Sequence, residues 1–135
     1  MSIYVICEGG INANGSLDTA KQLIDAAKAC GADAIKWQKR TVEAVYTREE
    51  LDKPRESPFG STNEALKRGL EFSAADYDAL DEYANQAGID WSASCWDTAS
   101  VEFIARYSPP WLKIPSALIT NARLLDAYRE TRIPL

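Results

Sequence analysis

An α/β fold with a parallel sheet is predicted by three features of the sequence. Short apolar runs alternate with longer amphipathic segments along the chain. The amphipathic segments open on Ser, Asp or Asn and several close near Gly, the residues that cap helices. Each apolar run ends on, or just before, an unusual polar residue, as where strands deliver side chains to a binding face. Four such strand–helix units fit in the 135 residues. The chain therefore reads as the first half of a TIM-type (β/α)8 barrel, a fold of about 250 residues.

The first strand is predicted over Ile3 to Cys7, followed by the Gly- and Asn-rich loop Gly9 to Gly15. Ser16 is placed to cap a helix with Ala20, Leu23, Ile24 and Ala27 on its apolar face, and Gly31 suits the left-handed position after its end. The second strand runs from about Ala32 to Gln38. A helix begins near Ser73, with Asp76 completing a box-like cap. It turns Tyr77, Leu80, Ala84 and Ala87 to one side and stops at Gly88. Ile89 to Ser94 is the third strand. Asp97 caps a short helix through Arg106, with Val101, Ile104 and Ala105 inward. After Pro109 and Pro110, Trp111 to Pro115 is the fourth strand. Asn121 caps a last helix carrying Leu124, Leu125 and Tyr128. A fifth strand is expected to begin at Arg132 to Leu135, so the other half of the barrel is expected to lie outside this sequence.

One connection is far longer than the rest. Residues 39–72 form an insertion between the second strand and its helix, where about 2–6 residues is usual. It holds Pro54, Pro58 and Gly60, with short helices expected around Arg48 to Leu51 and Asn63 to Gly69. It is read either as a surface insertion or as a lid or subunit contact on the reactive face.

Composition narrows the chemistry. A net charge of -5 and a pI of about 4.8 argue against a nucleic-acid surface. No apolar run approaches the ~20 residues of a bilayer span and the N-terminus lacks a leader pattern, so a cytoplasmic protein without membrane contact is expected. The chain has three scattered cysteines and no histidine. A disulfide framework, a cysteine zinc site and His-dependent nucleophilic catalysis are not expected within it.

The polar residues at the strand ends define a candidate site. Glu8 follows the first strand. Lys36 and Gln38 share one face of the second, with Ala34 below them. Ser94, Cys95, Trp96 and Asp97 close the third. Lys113 lies inside the fourth, with Ser116 just beyond. Each lysine is flanked by large apolar residues, Ile35 and Trp37 or Leu112 and Ile114. A lysine buried there needs an anion, because an unpaired buried charge is costly. Glu8 is the expected partner of one; a phosphate or carboxylate substrate suits the other. The alternative is that both lysines snorkel to solvent. Asp97 is read as a helix cap, and Cys7 and Cys95 as packed thiols. Trp37, Trp91 and Trp111 are read as core, with Trp96 beyond a strand end. The loop Gly9 to Gly15 lacks the lysine and spacing of a nucleotide-phosphate cradle.

These blocks resemble, in order, the motifs of the sialic acid synthase (N-acetylneuraminate synthase) family. Cys7 to Asp18, C-E-G-G-I-N-A-N-G-S-L-D, is similar to A-E-I-G-x-N-H-N-G. Gly31 to Arg40, G-A-D-A-I-K-W-Q-K-R, is similar to G-A-D-A-V-K-F-Q, and Ser92 to Ile104 to S-T-P-F-D-x-x-S-V-D-F-L. Leu112 to Leu125 is similar to K-I-x-S-G-E-x-T-N-x-x-L-L, and Thr131 to Leu135 to the start of T-G-K-P-V-I-L.

The resemblance implies a barrel enzyme, homodimeric at full length, that condenses phosphoenolpyruvate with an N-acetylated hexose such as N-acetylmannosamine, giving a nonulosonic acid and phosphate. It implies catalytic roles for Glu8 and Gln38, and phosphoenolpyruvate contacts from Lys36, Lys113 and Ser116. It also implies a divalent metal, Mn2+ or Mg2+, with ligands beyond residue 135 and none in this chain. The fragment alone is then expected to be inactive. Ala13 stands where the family has histidine, Gly9 where it has a larger apolar residue, and Leu118 where it has glutamate. A non-catalytic phosphate-binding relative, or a complete small flavodoxin-like α/β module, are the alternatives. A doubly wound module would reverse its strand order beside the first strand.

Overall fold

The structure, a computed structural model, describes residues 3–135. Strands β1 (Ile6–Gly10), β2 (Ala34–Lys39) and β5 (Asp90–Cys95) form a parallel sheet in the order β1-β2-β5. Helix α1 (Leu17–Ala29) links the first two. The connection from β2 to β5 holds α2 (Val42–Val45), α3 (Arg48–Leu51), the hairpin β3 (Pro54–Ser57) and β4 (Gly60–Thr62), α4 (Asn63–Gly69) and α5 (Ala74–Ala87). Helices α6 (Thr98–Ala105) and α7 (Ala122–Thr131) follow, separated by a 3-10 turn at Ser116–Leu118. No helix among the described residues is long and apolar enough to cross a membrane.

The three sheet strands run in chain order, without the reversal of a doubly wound module. Alternation along them separates two faces. Ile35, Trp37, Trp91, Ala93 and Cys95 enter a single core with Ile24 of α1, Leu80 of α5, Ile104 of α6 and Leu124 of α7. Ala34, Lys36 and Gln38 of β2 take the other face, level with Ser92 and Ser94 of β5. The helices thus cover one face and leave the other for the polar residues.

The predicted caps form as expected. Ser16 accepts from Thr19 N, Asp97 from Ser100 N and Asn121 from Leu124 N, while Ser73 and Asp76 close a reciprocal box. Gly88 ends α5 at φ +66.

Four elements differ from expectation. β1 starts three residues later than Ile3 and extends to Gly10. Its partner strand begins only at Ala34, and the Val5 N–H is taken by the Asp33 carboxylate at 2.7 Å. Ile3, Tyr4 and Val5 therefore stay exposed.

The fourth predicted strand, Trp111 to Pro115, reduces to one bridge between Lys113 and Ser94, so the four expected strand–helix units give a three-stranded sheet. Pro109, Pro110 and Pro115 have no N–H to donate, and Lys113 N reaches Ala93 O at a long 3.4 Å. The fifth strand begins as a single contact, Leu112 N donating to Pro134 O at 2.8 Å.

The insertion forms α3 and α4 over the predicted bounds, but α2 and the hairpin were not expected. The polar run from Pro54 to Thr62 has no alternation to signal strands; Ser57 Oγ closes the turn on Gly60 O at 2.9 Å. The insertion reaches back to the loop after β1, where Gly69 O abuts Gly15 so closely that no Cβ would fit there.

Candidate active site

Parallel strands bring the predicted residues to one end of the sheet. Glu8 and Lys36 are direct neighbours across β1 and β2, and Lys36 lies beside Ser92, with Gln38 beside Ser94. The bridge then places Lys113 next to Ser94.

Lys36 is the centre of the arrangement. Its ammonium donates to the Glu8 carboxylate and, at 3.4 Å, to Ser94 Oγ. The lysine side chain is 12% exposed and the glutamate 56%, so Lys36 is held from below while its counter-ion faces water. Lys36 therefore does not snorkel. Lys113 is exposed, and its ammonium has no hydrogen-bond or ionic partner among the described residues. The two lysines line one cleft of about 400 Å³, with Ile6, Trp111, Leu112 and Ile114 as apolar walls. One cation is paired and one is free.

Gly10 joins Glu8 to Gln38. A Cβ built there would stand 3.1 Å from Glu8 Oε1 and 3.6 Å from Gln38 Nε2, and its φ of +53 also favours glycine. The two side chains therefore flank one small space that a larger residue would fill. Ser116 is exposed at the start of the 3-10 turn and does not line the cleft. Sequence reasoning placed it with Lys113, but Pro115 turns the chain away between them.

The neighbouring polar residues are structural. Asp97 accepts from Thr41 N at 2.7 Å and Thr41 Oγ1 at 3.0 Å besides capping α6, tying the end of β2 to the next helix. Arg40 is buried, donating to Glu71 at 2.8 Å and Tyr46 at 3.0 Å, with its guanidinium over the ring of Trp96. Burial pushes the Cys95 thiol up to about 12. In the Gly9 to Gly15 loop, the N–H groups of Asn12 and Asn14 donate to carbonyls of the loop itself, and that of Ser16 to Ala13 O. Those donors are not free to cradle phosphate. Trp111, read as core, is half-buried and lines the cleft instead.

Two contributions emerge only in three dimensions. Ser94, one of the polar residues closing the third strand, is the second partner of Lys36. Tyr128 looked like a core helix residue, yet its hydroxyl bonds Cys95 and Lys113. The departures at Ala13 and Leu118 both face the core rather than the cleft, Ala13 being 1% exposed. Among the described residues no group of three or more His, Cys, Asp or Glu is placed to hold a metal ion.

Comparison with known proteins bears on this geometry. Residues 23–135 match the model of the NeuB family. N,N'-diacetyllegionaminic acid synthase of Legionella pneumophila is 36% identical over 139 residues, covering 100% of this chain and 39% of that protein. Human N-acetylneuraminate-9-phosphate synthase is 39% identical over 134 residues, covering 98% of this chain and 37% of that protein. The chain thus spans less than half the length of the curated relatives it matches. The crystal structure of N-acetylneuraminic acid (sialic acid) synthetase from Leptospira borgpetersenii, in complex with citrate, superposes with a TM-score of 0.76 at 26% identity, over 97% of this chain and 42% of that one.

Proposed function

The chain belongs to the NeuB family, and from that premise we propose that it carries the phosphoenolpyruvate side of the active site of a nonulosonic acid synthase. In this reading it is the first half of an eight-fold barrel, with strands β1, β2, β5 and the segment at Lys113 as successive staves.

The observation that carries the proposal is the unequal lysine pair in one cleft. Phosphoenolpyruvate presents a carboxylate and a phosphate a few ångströms apart, and two cations suit it better than one. Lys113, without a partner, takes one anionic group directly. Lys36 exchanges Glu8 for the other, and the Ser94 hydroxyl adds a donor. Glu8, released and facing water, then positions the water that adds at C2 while C3 of phosphoenolpyruvate bonds to the aldehyde carbon of an N-acetylated hexose. Phosphate leaves with cleavage of its C–O bond. Gln38, across the space kept open by Gly10, orients the same water or the sugar. Ser116 reaches phosphate only if the 3-10 turn closes onto the cleft. In this reading, any divalent cation that the reaction uses is held by the part of the barrel outside these residues.

Binding and turnover are tested apart. The chain should bind phosphoenolpyruvate in a titration followed by NMR, and Lys36→Met with Lys113→Met should abolish the binding. Binding that survives loss of both lysines would sink the proposal. Turnover is read as phosphate released from phosphoenolpyruvate, N-acetylmannosamine and manganese by a polypeptide extended to the length of the relatives. Anion binding without release favours a non-catalytic relative.

A further inference from the structure

The geometry points to Tyr128 as a positioning residue that sets the place of Lys113 in the cleft, an inference that rests on the phosphoenolpyruvate reading above. Lys113 has no side-chain partner, so its position depends on its backbone. That backbone is poorly held by the sheet. The segment from Trp111 to Pro115 meets β5 at one bridge, its Lys113 N–H bond to Ala93 is long at 3.4 Å, and three nearby prolines offer no donor.

The Tyr128 hydroxyl supplies the missing ladder. It accepts from Cys95 N at 2.9 Å and faces two carbonyls, Lys113 O at 2.7 Å and Cys95 O at 2.9 Å. A phenol has one proton to give, and the shorter distance assigns it to Lys113. The side chain is fully buried, and burial holds its pKa far above the usual phenol value. The group therefore stays a donor across the working pH range. Helix α7, anchored by its Asn121 cap, thus fixes the strand segment from behind. On the other side of the residue, Ser92 Oγ donates to Trp111 O. Beyond that one bridge, two side-chain hydroxyls hold the residues that carry Lys113 against β5.

A double-mutant cycle on phosphoenolpyruvate binding by the chain tests this. Tyr128→Phe should weaken binding about tenfold, the scale of one lost hydrogen bond. In the Lys113→Met background the same change should have an effect below about twofold, since the residue it acts through is gone. Circular dichroism and urea melts confirm that each variant is folded. Equal weakening in both backgrounds would mean general loosening and would overturn the inference, as would unchanged affinity in Tyr128→Phe. If Tyr128→Phe does not fold, Tyr128→4-fluorophenylalanine keeps the ring and its volume without the donor and carries the same comparison. An unaltered chain that binds no phosphoenolpyruvate overturns the underlying reading and the role of Tyr128 with it. That failure shows in the parent arm alone and is distinct from an additive cycle.

Discussion

The indole of Trp37 lies against the bare backbone of Gly9: a methyl group built on Gly9 would stand 2.7 Å from Cε3 of the ring and nearer still to Cζ3. Trp37 is fully buried and stands where the family motif has phenylalanine, while Gly9 stands where that motif has a larger apolar residue. The two departures fit each other, as volume lost on β1 is filled from β2. Gly9→Ala should therefore overpack this contact and destabilise the chain by about 1–3 kcal/mol. Adding Trp37→Phe should recover much of the loss. Urea denaturation midpoints of the two single variants and the double variant check it. Additive losses would mean that the residues do not share the space.

Glu8 competes with any anion for Lys36. Glu8→Gln removes that competitor and a negative charge at the cleft, so inorganic phosphate and phosphoenolpyruvate should bind more tightly. The pair is half-exposed on the glutamate side, which limits its strength to about 0.2–1 kcal/mol. Affinity should therefore rise by up to about fivefold, and less in high salt. In the extended polypeptide, the same change should abolish phosphate release. Tighter binding with lost turnover would be difficult to explain if Glu8 were only a structural partner of Lys36. Isothermal titration with phosphate reads the first half, and weaker binding in Glu8→Gln would contradict it.

The strands and caps that sequence reveals best are those whose signal is local. β2 alternates Ala34, Lys36 and Gln38 with Ile35 and Trp37, so both its existence and its faces were legible, and Lys36 and Glu8 with them. The start of β1 was not, because Ile3 to Val5 are as apolar as a strand but their pairing depends on where Ala34 begins β2. Trp111 to Pro115 also reads as a strand, yet prolines and side-chain hydroxyls replace its ladder. Tyr128 shows the same limit from the other side. Its helical periodicity places the ring in the core, while the hydroxyl's partners, Cys95 and Lys113, are known only once two strands and a helix have met.

The cysteines should separate cleanly by reactivity. Cys30 is exposed, Cys7 half-buried and Cys95 buried. With its thiol pushed up to about 12 by burial, Cys95 stays in the unreactive thiol form at pH 8. Iodoacetamide should label Cys30 readily and leave Cys95 intact until denaturant is added. Mass spectrometry of tryptic peptides after timed labelling checks the order. Early modification of Cys95 would show that the Tyr128 contact opens in the folded chain.

The insertion should loosen in acid before the sheet does. It has few buried apolar anchors, Val42 in α2 and Leu51 in α3 among them, while α4 buries none of its residues. Its surface instead joins Arg48 to Asp52 and Glu64, and Arg68 to Glu43 and Glu64. Hydrogen bonds from these arginines hold Glu43, Asp52 and Glu64 below the usual carboxylate range, and the Thr47 backbone does the same for Glu50. A carboxylate lowered by folding stabilises the folded form above its unfolded pKa, about 4 for these groups, and that contribution is lost as pH falls through the folded value. Each pair is weak, but together with the Asn63 side chain, which donates to Glu50 O at 2.9 Å, they join α3 to α4. Hydrogen exchange should show amides of residues 48–69 losing protection as pH falls below about 4, while those of β2 and β5 remain protected. Added salt at neutral pH should reproduce the effect in milder form, because it screens the same pairs. If insertion and sheet lose protection together at every pH, the insertion is held by its contact at Gly15 and Gly69 and not by its charges.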